Sequence, residues 1–125
     1  RAIVDEQGPA PARLDRWLRT LFAAKRSRVL DDPEMFDTYL TLAREACAAV
    51  KCHKDTMTDQ IAAILSDGVK QGVFAVDDVK TTARAIFDAT VRFHHPAHAD
   101  EWRDADLAAR VDATLALLLR GLKAG

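Results

Sequence analysis

Apolar residues recur every three or four positions along most of the chain, and strict alternation is absent. That spacing places them on one face of a helix, so the pattern predicts helices rather than strands. The first predicted helix runs from about Ala10 to Val29, with Leu14, Trp17, Leu18, Leu21 and Phe22 as its stripe. Asp31-Asp32-Pro33-Glu34 then reads as a stop and a restart. Asp suits a helix cap, Pro the first helical position and Glu the first turn. A second helix carries Phe36, Tyr39, Leu40, Ala43, Cys47 and Val50, and is expected to end at the polar stretch His53–Asp55.

A third helix is expected to start near Thr56 or Thr58, with Met57, Ile61, Ile64, Leu65 and Val69 on its inner face. Gly72 stands where a left-handed C-cap is expected. Asp77 or Asp78 caps a fourth helix bearing Val79, Ala83, Ile86, Phe87, Thr90 and Phe93, and His95-Pro96 ends it. The fifth is expected from about Asp100 to Leu122. It carries two stripes: the large residues Leu107, Val111, Leu115, Leu118 and Leu122, and the small residues Ala105, Ala109, Ala113 and Ala116. One can face the core. The other suits close approach of a partner helix, unless both are internal or the alanines merely favour helix. The expected fold is an all-α bundle of about five helices.

Composition supports this picture. The chain has 125 residues, one domain's worth, with 23 Ala against five Gly and four Pro. A hydrophobic content of 49% offsets ordering entropy, so disorder is disfavoured. A net charge of −1 argues against a domain that binds nucleic acid over its whole surface. No apolar run approaches the roughly 20 residues of a membrane span, and no signal-peptide pattern opens the chain. Cys47 and Cys52, five apart, face different sides of a helix and read as reduced thiols, which fits the cytoplasm. A first residue Arg1 rather than Met is expected of a processed product or a piece of something longer.

Several segments resemble the C-terminal region of TetR-family transcriptional regulators. They are Gly72-Val73-Phe74 followed by Asp78, Ala85-Ile86-Phe87-Asp88-Ala89-Thr90, Phe93-His94-His95-Pro96 and the closing Leu117-Leu118-Leu119-Arg120-Gly121-Leu122. Upstream, Arg13-Leu14 and Asp32-Pro33-Glu34-Met35-Phe36 fit as well. Each piece is weak alone, and their order and spacing carry the likeness. The resemblance implies an all-α domain that binds a small effector and dimerises, its last two long helices pairing with those of a second copy in a four-helix bundle. It implies a homodimer, a repressor more readily than an activator, and DNA contact only through a helix-turn-helix domain that residues 1–9 cannot supply. Residues 1–9 then read as a linker and 10–125 as the effector-binding and dimerisation domain.

Candidate ligand contacts are Trp17, Phe36, Tyr39, Met57, Ile61, Phe87, Thr90 and His94, with His53 as a further polar group. They are mostly apolar with a few orienting polar atoms, as ligand sites are; the alternative is that they are core. Candidate dimer contacts are Ile86, Phe93, Ala105, Ala109, Ala113, Ala116 and Leu117. Six basic residues (Arg13, Arg16, Arg19, Lys25, Arg26, Arg28) lie in the first helix against one acid, Asp15. They read as a solvated face before they read as a phosphate contact. His94, His95 and His98 near Asp100 and Glu101 have poor metal spacing, and capping or an interface is the expected role. Cys47 on the apolar stripe reads as a buried thiol, and Cys52, between Lys51 and His53, has the charged surroundings of a redox sensor without a motif. No cofactor is expected, and no nucleophile–base pair, phosphate loop or paired carboxylate marks an enzyme. A rival reading is a free-standing dimeric interaction module with no ligand.

Overall fold

The computed structural model describes residues 8–31 and 47–124. Helix α1 spans Ala10–Asp31, as the spacing predicts, and buries Ala10, Leu14, Trp17, Leu18 and Phe22. Its first turn lacks a capping residue of its own. Gln71, far along the chain, supplies the cap: its side-chain oxygen accepts from the Ala10 N–H at 2.9 Å, and its amide donates to the Gly8 carbonyl at 2.8 Å. Arg13, almost fully buried, extends this seam through a 2.8 Å ion pair with Asp67.

Helix α2 spans Cys47–Lys70 without interruption, which corrects the break expected at His53–Asp55. That stretch is polar but contains neither Gly nor Pro. Polarity alone does not end a helix whose side chains can meet water. Ile61, Ile64 and Leu65 form its buried face. The end is where the glycine signals it: Gly72 adopts φ +74°. The Val73 N–H reaches the Gly68 carbonyl at 3.0 Å and the Gly72 N–H reaches that of Val69 at 3.1 Å, which is a Schellman cap.

Helix α3 spans Val79–Ala89 and is capped by Asp78, whose carboxylate accepts from the Thr81 N–H and hydroxyl. The helix expected to continue through Phe93 breaks at Thr90. The Thr90 hydroxyl donates back to the Ile86 carbonyl at 2.9 Å, a bond that bends helices. A short helix, α4, covers Val91–His94 and stops before His95-Pro96 as expected.

The fifth expected helix is also corrected. Pro96–Arg103 forms a 3-10 segment, and α5 covers only Leu107–Leu122. Tertiary contact stabilises the tighter turn: Trp102 is buried, and its indole N–H donates to the Arg92 carbonyl at 2.8 Å. On α5 the large stripe turns inward, with Val111, Leu115 and Leu122 buried. The end of α5 is clasped to the loop after α2. The Ala75 N–H meets the Leu122 carbonyl at 2.8 Å and the Ala124 N–H meets that of Val73 at 3.1 Å. Among the described residues all regular structure is helical, around one core shared by α1, α2, α3, α4 and α5.

Candidate functional site

The break at Thr90 brings a polar pair into an aromatic cluster. Thr90 and His94 are both buried, with Thr90 Oγ1 3.2 Å from His94 Nε2. The same nitrogen lies 3.3 Å from the Phe87 carbonyl. Nε2 therefore faces both the Thr90 hydroxyl and the Phe87 carbonyl, donating to the carbonyl or accepting from the hydroxyl according to the ring's tautomer. The His94 ring stacks on Phe22 at 6.0 Å between centroids, with 14° between planes, and lies 4.6 Å from Phe87. Phe22 in turn meets Phe93 at 5.5 Å. Phe22 is thus the member of α1 that meets both His94 and Phe93.

On its other side Phe22 lines a groove of about 390 Å³ between α1 and the start of α5. Phe22, Leu107, Val111, Ala105 and Ala108 form its apolar surface, and Arg19, Arg26 and Asp104 its polar groups. Ligand sites commonly fall between about 300 and 1,000 Å³ and are mostly apolar. Arg19 is occupied, bridging Asp15 at 2.9 Å and Asp112 at 2.8 Å, and Asp112 first and Asp15 second hold it more firmly charged than usual. Arg26 gives its Nε to the Trp102 carbonyl at 3.0 Å.

Beyond the groove, Glu101 accepts from Arg92 at 2.6 Å and from Arg110 at 2.9 Å. These two cations, Arg92 foremost, hold its carboxyl below the usual glutamate range. The ion triad ties the 3-10 segment to α4 and α5. Among the described residues no three His, Cys, Asp or Glu side chains gather as a metal site would need.

A family model for the tetracyclin repressor-like C-terminal domain matches residues 10–115. The chain belongs to the tetracyclin repressor-like C-terminal domain family. No curated protein and no solved structure matches the chain. Domains of this kind generally dimerise and bind small-molecule effectors, and the family is not one of enzymes. Among the described residues of this tetracyclin repressor-like domain, no helix is long and apolar enough to cross a membrane.

The sequence-expected ligand contacts distribute unevenly over this domain. Phe87, Thr90 and His94 come together in the aromatic cluster. Trp17 and Ile61 are buried where α1 meets α2, the Trp17 indole N–H donating to Gln60 at 2.9 Å, and Met57 packs half-buried nearby. None of these six lines the groove. Phe36 and Tyr39 lie outside the described residues, as do the side chains of Cys47, Cys52 and His53. Sequence reasoning missed Phe22 and Arg26 as groove residues, and Trp102 as a buried anchor. A tryptophan within the otherwise polar run Asp100–Asp104 was the signal available for Trp102.

The expected dimer contacts divide in two. Ile86 and Phe93 are buried inside the chain's own core. Ala105, Ala109, Ala113 and Ala116 are exposed, and Leu117 is 65% exposed. The basic set on α1 proves partly structural, since Arg13, Arg19 and Arg26 each have a partner within the bundle.

Proposed function

We propose that this chain is the effector-binding and dimerisation domain of a TetR-like transcriptional regulator of the repressor type, acting in the cytoplasm as a homodimer. The family match over residues 10–115 carries the reading. Two structural features support it. Helix α5 turns its large residues inward yet keeps Ala109, Ala113, Ala116 and Leu117 on the opposite, exposed face. A helix apolar on both sides favours burial on both sides, and small residues allow close helix approach. In this reading the second copy covers that face.

The groove over Phe22 supports the effector. A small, largely apolar molecule lying there touches α1 directly, and the Phe22–His94 stack extends the contact to Thr90 and Phe87. Residues 1–9 then serve as the connector to a DNA-reading domain, whose spacing in the dimer follows the placement of α1. Gln71 and Asp67 hold the start of α1 against α2, so a movement at Phe22 pivots α1 about a fixed end. The effector shifts the equilibrium only by binding one arrangement better than the other.

Sedimentation tests the dimer. The chain is expected to sediment as a dimer, and Ala113→Trp to split it without loss of helical circular dichroism. A wild-type chain that stays monomeric, or a variant that stays dimeric, overturns this interface. A thermal-shift screen of small apolar compounds tests the effector; no stabilisation by any of them leaves a dimeric interaction module without a ligand.

A further inference from the structure

The groove between α1 and α5 is apolar in its floor and carries a cation that no carboxylate among the described residues neutralises. Arg19 on its rim is matched by Asp15 and Asp112, and Asp104 lies 3.7 Å from Arg110. Arg26 differs: its Nε is bound to the Trp102 carbonyl, and no carboxylate among the described residues pairs with its guanidinium. The bond to Trp102 also restrains the side chain, so its remaining N–H groups are presented by a fixed plane rather than a free stem. A restrained guanidinium offers two parallel donors that match a carboxylate, which an ammonium does not.

We infer that the groove over Phe22 takes a small amphiphile with an apolar body and a single carboxylate, the body on Phe22, Leu107 and Val111 and the carboxylate on Arg26. The inference rests on the effector reading above and names the chemical class of that effector. Phe22 and Val111 are nearly buried at the floor, so an apolar body there rests on side chains already held in place by the core. Asp104 lines the same groove and disfavours a second negative charge there, which limits the ligand to one.

Calorimetric titration with octanoate, octanol and octylamine tests this, since the three share a chain and differ in head group. Octanoate is expected to bind about tenfold more tightly than octanol, the size of one charge-assisted contact. Arg26→Gln is expected to remove that advantage while leaving octanol unchanged, and Arg26→Lys to keep only part of it. Ala108→Leu, which fills the groove and leaves the cation, is expected to weaken all three. Equal binding of octanoate and octanol overturns the carboxylate assignment and leaves the groove as an apolar site. Tighter binding of octylamine overturns it in favour of Asp104. Failure of all three to bind overturns the groove itself. Failure of the functional reading is a separate result, seen as a monomer in sedimentation together with no stabilisation by any compound in the screen.

Discussion

The ring of Phe74 occupies the space that a side chain at Gly68 would need: a Cβ there would run into Phe74 Cδ2. The contact lies under the cap of α2, where the Gly68 carbonyl accepts from both Val73 and Phe74. Gly68→Ala is therefore expected to destabilise the fold by about 1–3 kcal/mol through overpacking, even though Ala favours helix over Gly by about 1 kcal/mol. Urea unfolding followed by circular dichroism reads the difference. Pairing Gly68→Ala with Phe74→Leu is expected to recover part of the loss, and a stabilised single variant would refute the close approach.

Thr90→Val removes the hydroxyl that bends the chain between α3 and α4. The Ile86 carbonyl loses its side-chain donor, and His94 Nε2 loses the hydroxyl beside it. A loss of about 1–2 kcal/mol is expected, the worth of a buried hydrogen bond whose partner stays behind. Urea midpoints check this. A neutral substitution would mean that Thr90 serves only as an apolar filler.

Trp102 carries more. It is 1% exposed, and its indole N–H closes on Arg92 while its carbonyl holds Arg26. Trp102→Ala is expected to cost about 3–5 kcal/mol by leaving a large cavity. Trp102→Phe is expected to cost less and still to loosen the groove rim. Amide exchange along Pro96–Arg103, measured by NMR, separates this local loosening from global unfolding.

Asp78 links stability to pH. The Thr81 N–H and hydroxyl hold its carboxyl below the usual aspartate range. A depressed folded-state pKa contributes stability above the ordinary aspartate range, and that contribution is lost as pH falls through the folded value. Asp78→Ala is therefore expected to lower the Tm in neutral buffer and to match the wild type in strong acid, where both lack the charged cap. A Tm difference that persists undiminished in acid would argue that the charge is not what matters.

Much of the chain was legible because its signals are local. The stripe from Leu14 to Phe22, the Gly72 cap, the Asp78 cap and the Pro96 stop each act within a turn or two of the residue that carries them. Other readings turned on what the local signals leave open. His53–Asp55 reads as a break because it is polar, yet it has no residue that forbids helical angles. Ile86 and Phe93 sit at helical spacing that fits an interface or a core equally well, and periodicity does not say which neighbour covers a face.

The sequence by itself determined that the described chain is helical, where α1 and α2 end, and that α5 carries two apolar stripes. Those outcomes follow from φ preference, capping and side-chain periodicity, which depend on neighbours in the chain. Tertiary structure alone decided that Gln71 caps α1, that Trp102 draws Pro96–Arg103 into a 3-10 turn, and that Arg26 meets the start of α5 across a groove. Gln71 and Ala10 lie 61 positions apart and Arg26 and Trp102 76, and such pairs form only where the packing of the whole bundle brings them together.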